Sequence, residues 1–338
     1  MGGDLAPAAT VHGAIQALRE FSDLELFLVG DEPKVKAELA QHGRGSWLDR
    51  VTIRHASQVV EMNDGAVDAV RKKKDSSISR SVDLLKDETV QAIVSAGHTG
   101  ALVAATTIKL RMLPGIGRPG IATVMPTQHS FFLLVDAGAN IDAHPDHLVG
   151  YAIMGSIYAR EVLGCAKPRV GLLSIGTEAS KGNDFTREVF KLLTHANINF
   201  VGNIEGHVLF TKPVDVIVCD GFVGNVVLKT SESLATGIFS WLKHELNKNP
   251  LRKAGALMAR DAFAAIRKKT NTEEYGGMPL LGVNGICIKA HGNSSPKAIK
   301  NAIRVAREAV TQQINRRIVA EMSRHNEASQ KTVIAAAS

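Results

Sequence analysis

The side chains best placed to do chemistry are Lys181, Asn183, Asp220, Asn225, Lys229 and His291, each in or just beyond a glycine-containing loop. The stretch Ile175-Gly176-Thr177-Glu178-Ala179-Ser180-Lys181-Gly182-Asn183 sets a lysine and an amide side chain just before a helix expected near Asp184. That arrangement suits anion binding, or else Lys181 is a solvated loop lysine. Asp220-Gly221-Phe222-Val223-Gly224-Asn225 leads into a helix carrying Lys229 one turn on, and positions three to four apart share a face. Asp220, Asn225 and Lys229 then line one pocket, or Asp220 merely closes a strand and Lys229 lies on the surface. His291-Gly292-Asn293-Ser294-Ser295 also follows a strand, so His291 is either catalytic or a structural strand-end histidine.

A second kind of loop offers backbone rather than side chains. Ser95-Ala96-Gly97-His98-Thr99-Gly100 opens a helix running to about Arg111, so its amides can cradle an anion at the positive end of the helix dipole. A plain glycine turn is the competing reading, because the stretch matches neither a Walker loop nor a dinucleotide fingerprint. Asp136-Ala137-Gly138-Ala139-Asn140 admits close approach of a ligand or caps its own turn. Lys72-Lys73-Lys74-Asp75-Ser76-Ser77 can neutralise a phosphate, or it is a solvated helix start capped by Asp or Ser.

These loops need a scaffold, and short Val/Ile/Leu-rich runs alternating with helical stretches supply one: a three-layer α/β/α unit around a mainly parallel sheet. The expected strands are Leu24–Val29, Val51–Arg54, Val90–Ser95, Ile121–Met125, Phe131–Asp136, Val170–Ile175, Phe200–Ile204, Val214–Asp220 and Ile286–Ala290. In such sheets ligands collect beyond the carboxyl ends of strands, where these loops lie. Met1-Gly2-Gly3-Asp4 reads as a strand-to-helix loop with Pro7 opening a helix, so a strand ahead of it is expected, or that edge is built differently. One domain is expected over residues 1–330, with a helical hairpin inserted at about 231–270 and a flexible tail at 331–338.

Composition narrows the class. The 338 residues are 45% hydrophobic and 22% charged, an ordinary globular balance, with no apolar run of membrane-spanning length and no signal-peptide pattern. A cytoplasmic protein is expected. Cys165, Cys219 and Cys287 show no metal-binding spacing, and no clustered carboxylates suggest a divalent ion, so neither a metal nor a cofactor is expected. The net charge is +7, and between Lys243 and Lys269 eight Lys or Arg face two Asp or Glu. That segment reads as two helices joined at Asn247-Lys248-Asn249-Pro250, with apolar and basic residues (Leu251, Arg252, Lys253, Leu257, Met258 and Arg260) expected to contact a membrane or a carrier protein. A basic amphipathic hairpin suits an anionic membrane or an acidic protein partner; the plainer alternative is a dimer-packing element with solvated lysines. Aromatics are 5% and not interleaved with the basic run, which argues against nucleic acid.

In order along the chain, MGGD, KKKDSS, SAGHTGAL, DAGAN, KGND, NIEGH, CDGFVGNVVLKTSE, EYGGMPLLGVNG and KAHGNSS resemble the PlsX family of phosphate acyltransferases from end to end. The resemblance implies a fold like that of phosphotransacetylase and isopropylmalate dehydrogenase, with a protruding helical hairpin. It implies transfer of a fatty acyl group from acyl-[acyl carrier protein] to inorganic phosphate, feeding phospholipid synthesis. It further implies a homodimer on the inner face of the plasma membrane that hands product to a membrane glycerol-3-phosphate acyltransferase. Family members carry a short strand ahead of MGGD, and Asn where His98 stands. For that reaction Lys181 and Lys229 would hold phosphate with the Ser95–Gly100 segment. Asn183 and Asn225 would donate to the oxyanion, and Asp220 or His291 would orient phosphate or protonate the leaving thiolate. The rivals are a phosphotransacetylase-like enzyme using acyl-CoA, a hydroxyacid dehydrogenase of the same fold, and a non-catalytic carrier-protein or membrane scaffold.

Overall fold

The computed structural model describes residues 1–270 and 272–337. The chain opens with helix α1 (Ala8–Glu20), then the parallel pair β1 (Leu26–Gly30) and β2 (Val51–His55) around α2 (Glu32–Gln41). Next come α3 (Ala66–Lys72), α4 (Ser77–Lys86), β3 (Ala92–Ser95) and α5 (Thr99–Lys109). The hairpin β4 (Gly120–Pro126) and β5 (Phe131–Val135) leads to α6 (Pro145–Glu161), β6 (Val170–Ser174), α7 (Asp184–His195), β7 (Phe200–Glu205) and β8 (Val216–Val218). Three helices follow, α8 (Gly221–Leu246), α9 (Pro250–Met258) and α10 (Arg260–Thr270). The chain closes with β9 (Met278–Leu281), β10 (Ile286–Lys289), α11 (Pro296–Thr311) and α12 (Ile314–Ala337).

Each strand expected from the sequence is present, and the sheet gains β9, which the sequence reading passed over. The eight-stranded order is β3-β10-β9-β4-β5-β8-β6-β7. β3 and β10 are parallel, and so are β5, β8, β6 and β7, but antiparallel pairings of β9 with β10 and with β4, and of β4 with β5, join the two blocks. The blocks therefore run in opposite senses. The β1–β2 pair forms a separate sheet, and a cavity of about 440 Å³ lined by Leu26–Val29 and Gln91–Ala96 lies between β1 and β3.

Alternation along the central strands feeds two apolar cores, one on each face. Val124, Leu133 and Val135 pack with α6, α1 and α11 on one side, and Met125, Phe132 and Leu134 pack with α4 and α5 on the other. Leu133 and Leu134 are both 0% exposed, and each such burial contributes roughly 1.5–3 kcal/mol. Because both faces are covered, β4 and β5 read in sequence as continuous apolar runs rather than alternating ones.

The hairpin is longer than its sequence boundary. α8 is one 26-residue helix that starts at Gly221, so the expected break at about 231 is not a structural boundary. Residues 331–337, expected as a tail, continue α12, and residue 338 lies outside the described residues.

Candidate active site

At the carboxyl end of β5, Asp136 is fully buried and its carboxylate accepts amides from Ile121 (3.0 Å), Gly138 (3.0 Å), Ala139 (2.9 Å) and Asn140 (2.7 Å). Burial pushes its pKa up while these four donors pull it down. The choice between ligand contact and turn chemistry thus falls to turn chemistry for Asp136, whose oxygens are occupied by the chain itself. α8 starts directly on this loop: the Gly221 amide donates to the Asn140 carbonyl at 2.8 Å. A Cβ on Gly224 would lie 1.9 Å from the Asp136 carbonyl oxygen, so only glycine permits the approach.

Asp220 and Asn183 both turn out to be helix caps. Asp220 accepts the Val223 amide at 2.9 Å, and Asn183 accepts the Thr186 amide at 2.9 Å. Lys181 is exposed on its loop at the end of β6, one strand over from Asp220. No hydrogen bond or ion pair among the described residues joins Lys181 or Asn183 to Asn225 or Lys229.

What the structure does assemble runs along α8. Asn225 packs on Gly138, and within two further turns the charge of Lys229 reaches His291 while Glu232 Oε1 stands 3.5 Å from His291 Nε2. The rise of an α-helix, ~1.5 Å per residue, makes this a stretch of roughly 10 Å from Asn225 to Glu232. Burial pushes the His291 pKa below that of an ordinary imidazole; Glu232 opposes the shift, and Lys289 and Lys229 reinforce it. His291 and Glu232 line a cavity of about 600 Å³ whose other walls include Phe239, Met278, Arg267 and Ser294.

Behind His291, three segments are stitched together at the carboxyl ends of β3 and β10. The Ala290 amide donates to the Ser95 carbonyl at 2.9 Å, and the Asp4 amide to the Gly292 carbonyl at 2.8 Å. Gly3 allows this closure, since a Cβ there would sit 3.1 Å from the Gly292 oxygen and 3.3 Å from that of Ala96. Ser95 Oγ accepts the Gly97 amide (3.3 Å), and His98 caps α5 by accepting the Ala101 amide on Nδ1 (3.0 Å). The side chains of Ser95 and His98 are thus engaged locally. The amides of Thr99 and Gly100 donate to no protein acceptor among the described residues, which leaves them directed at a ligand or solvent. Within the lysine run, Lys73 binds Asp64 at 2.5 Å and the Val59 carbonyl at 2.9 Å, and Ser76 caps α4.

Among the described residues the hairpin tip carries strongly exposed apolar side chains, with Met258 89%, Leu251 83% and Leu257 69% accessible. Arg252 is paired with Glu245 (2.9 Å) and Arg260 with Asp261 (3.3 Å), while Lys253 is exposed. Nearer the base, Leu234, Ile238 and Trp241 form an exposed stripe on α8. No helix among the described residues is long and apolar enough to cross a membrane.

Comparison with known proteins places this geometry. A family model described as "Fatty acid synthesis protein" matches residues 1–317. A phosphate acyltransferase of Desulfitobacterium hafniense is 49% identical over 331 residues, covering 98% of each chain. One of Syntrophotalea carbinolica is 48% identical over 326 residues, 96% of this chain and 93% of the relative. The chain belongs to the phosphate acyltransferase family. Membership makes it an acyltransferase.

The family's fold is visible in solved structures as well. A phosphotransacetylase from Streptococcus pyogenes superposes with a TM-score of 0.61 at 17% identity, covering 90% of this chain and 92% of the other. EutD phosphotransacetylase from Staphylococcus aureus gives 0.59 at 14% identity with the same coverage. At such identities the likeness speaks for the fold, and it matches the expected architecture. Asp4, Glu232 and Lys289 were not among the sequence candidates. Glu232 could have been found, since it lies three residues beyond Lys229 on the same helix face.

Proposed function

We propose that this member of the family transfers a fatty acyl group from an acyl-[acyl carrier protein] thioester to inorganic phosphate. The observation that carries the proposal is the α8 cleft, where His291, within reach of the Lys229 charge, lines a cavity of about 600 Å³ together with Glu232, while α5 starts with open amides at the end of the neighbouring strand β3. Cations and free helix N-terminal amides suit a phosphate dianion, and the cavity suits the thioester end of the donor. A phosphate oxygen attacks the thioester carbonyl carbon, the C–S bond breaks, and acyl phosphate and the carrier thiol result. His291, held neutral at pH 7 by burial, accepts the phosphate proton and returns it to the departing sulfur. Asn225 donates to the oxyanion, and Lys181 enters from the β6 loop to hold phosphate with Lys229.

The hairpin fits the rest of this role. Its basic charge suits an acidic carrier protein and an anionic membrane, its stripe of Leu234, Ile238 and Trp241 suits a second copy of the chain, and its tip suits shallow insertion. The product then passes to a membrane glycerol-3-phosphate acyltransferase for phospholipid synthesis.

The test combines purified protein, acyl-carrier thioester and phosphate, and looks for acyl phosphate. Product with the carrier thioester supports the reading, and product only with acyl-CoA replaces it. Lys181→Ala and Lys229→Ala are expected to raise the phosphate requirement; unchanged phosphate dependence in both would remove them from the site. Polar replacement of Leu251, Leu257 and Met258 is expected to abolish binding to anionic vesicles without unfolding the protein, and retained binding would overturn the tip's role.

A further inference from the structure

Lys289 is the only lysine or arginine among the described residues whose side chain is buried, at 4% exposure. No carboxylate among the described residues forms an ion pair with it, although the charge of Asp4 reaches it. Its ammonium donates to the carbonyl of Ala290, the next residue, so it is turned toward the carboxyl end of β10. An ammonium held inside the protein without a contacting carboxylate is costly unless an anion completes the site.

Its direction follows from the register. Lys289 pairs with Ser95 across the parallel β10–β3 ladder, and Cys287 pairs with Ile93 two residues earlier. Residues in register share a face, and Cys287 and Ile93 both pack in the core under α4 and α5. Lys289 therefore projects on the side from which α5 starts, at the strand end where the chain leaves Ser95 for Gly97 and Thr99. The open amides of Thr99 and Gly100 head that helix, and Asp4 closes the opposite side through its bond to Gly292.

We propose that Lys289 is a binding residue for the phosphate acceptor, its ammonium meeting the same dianion as the Thr99 and Gly100 amides. The identity of the anion rests on the reaction proposed above. On this basis the acceptor sits at the β3–β10 edge and attacks toward His291, while Lys229 reaches it from α8. Burial holds the Lys289 ammonium down to about 8, against ordinary lysine. Asp4 and Cys287 favour the charged form, and His291 is the neighbouring titratable group on the same strand end.

The test compares wild type with Lys289→Met and Lys289→Arg, reading phosphate KM, thioester KM, melting temperature and the thermal shift produced by inorganic phosphate alone. Lys289→Met is expected to raise the phosphate KM by about tenfold or more, the worth of one charge-assisted hydrogen bond. It should leave the thioester KM unchanged, abolish the phosphate-induced shift, and melt no lower than wild type because a desolvated charge has been removed. Lys289→Arg should recover part of the phosphate affinity. In wild type, kcat/KM for phosphate should fall as pH rises through about 8, and in Lys289→Arg that fall should be absent. Unchanged phosphate dependence, or an equal loss for both substrates with a lowered melting temperature, would overturn the proposal. A Lys289-dependent phosphate shift in a protein that makes no acyl phosphate would leave this subsite standing and overturn the reaction instead.

Discussion

The loops after β5 and β8 and those after β3 and β10 share one sequence signature, a buried strand running into glycine and a polar residue, but they differ in what the polar groups do. At the β5–β8 end the chain satisfies them itself: Asp136 takes four amides, and Asp220 and the Asn140 carbonyl take two more from α8. At the β3–β10 end the satisfaction is incomplete. Among the described residues Lys289 has no ion-pair partner and the amides of Thr99 and Gly100 have no protein acceptor, and His291 is held below its usual pKa beside Glu232. A polar loop at a strand end is thus a site only where the fold leaves its hydrogen-bonding capacity open. α8 grows out of the closed end and carries Lys229 and Glu232 to the open one.

The most severe break of this contrast is Asp136→Ala. Removing the carboxylate leaves buried amides without an acceptor at about 1–3 kcal/mol each, so a loss of about 3 kcal/mol or more in unfolding free energy is expected. The urea midpoint of the variant reads this directly, and Asp136→Asn, which keeps one acceptor oxygen, should lose less. An Asp136→Ala protein with an unchanged midpoint but no turnover would move the β5 end from scaffold to site.

The open end is tested through His291. With burial lowering its pKa, the imidazole is the neutral base at pH 7, so the acidic limb of kcat/KM should lie below the ordinary histidine value. His291→Gln should remove that limb and slow turnover about a hundredfold, the lower end of acid–base assistance. Glu232 raises the His291 pKa, so Glu232→Gln should shift the limb to still lower pH. A limb that stays in place in both variants would show that His291 carries no proton in the reaction.

Much of the scaffold was legible because burial on both faces turns strands into continuous Val/Ile/Leu runs. β9 was not: Met278-Pro279-Leu280-Leu281 is four residues long, lacks β-branching and contains a proline. The reversal between the two strand blocks was readable but missed. Only Thr127–Ser130 separate β4 from β5, too few for the crossover that parallel strands need. The candidate residues divided on a point that sequence does not encode. Asn183, Asp220 and His98 are good capping or hydrogen-bonding types, and at a helix start the nearest backbone amide engages them first. Lys289 escaped notice as the end of an apolar run, yet it lies in phase with Cys287, and that alternation is the signal for a charge pointing into the core.

The smallest expected effect bears on whether α8 begins at a cap or at a reacting group. Asp220→Ala removes the acceptor for the Val223 amide and should cost about 1 kcal/mol, the usual worth of an N-cap. Asp220→Asn keeps an oxygen at the cap but can no longer ionise, so it should retain both stability and turnover. Rates for the two variants, measured beside their urea midpoints, separate the possibilities. If Asp220→Asn is as stable as wild type but loses activity about tenfold or more, its carboxylate charge acts on substrate, since acid–base groups carry at least that much. The closed end of the sheet would then contribute to chemistry through the one oxygen of Asp220 that the helix leaves free, and the site would extend the whole length of α8 from Asp220 to Glu232.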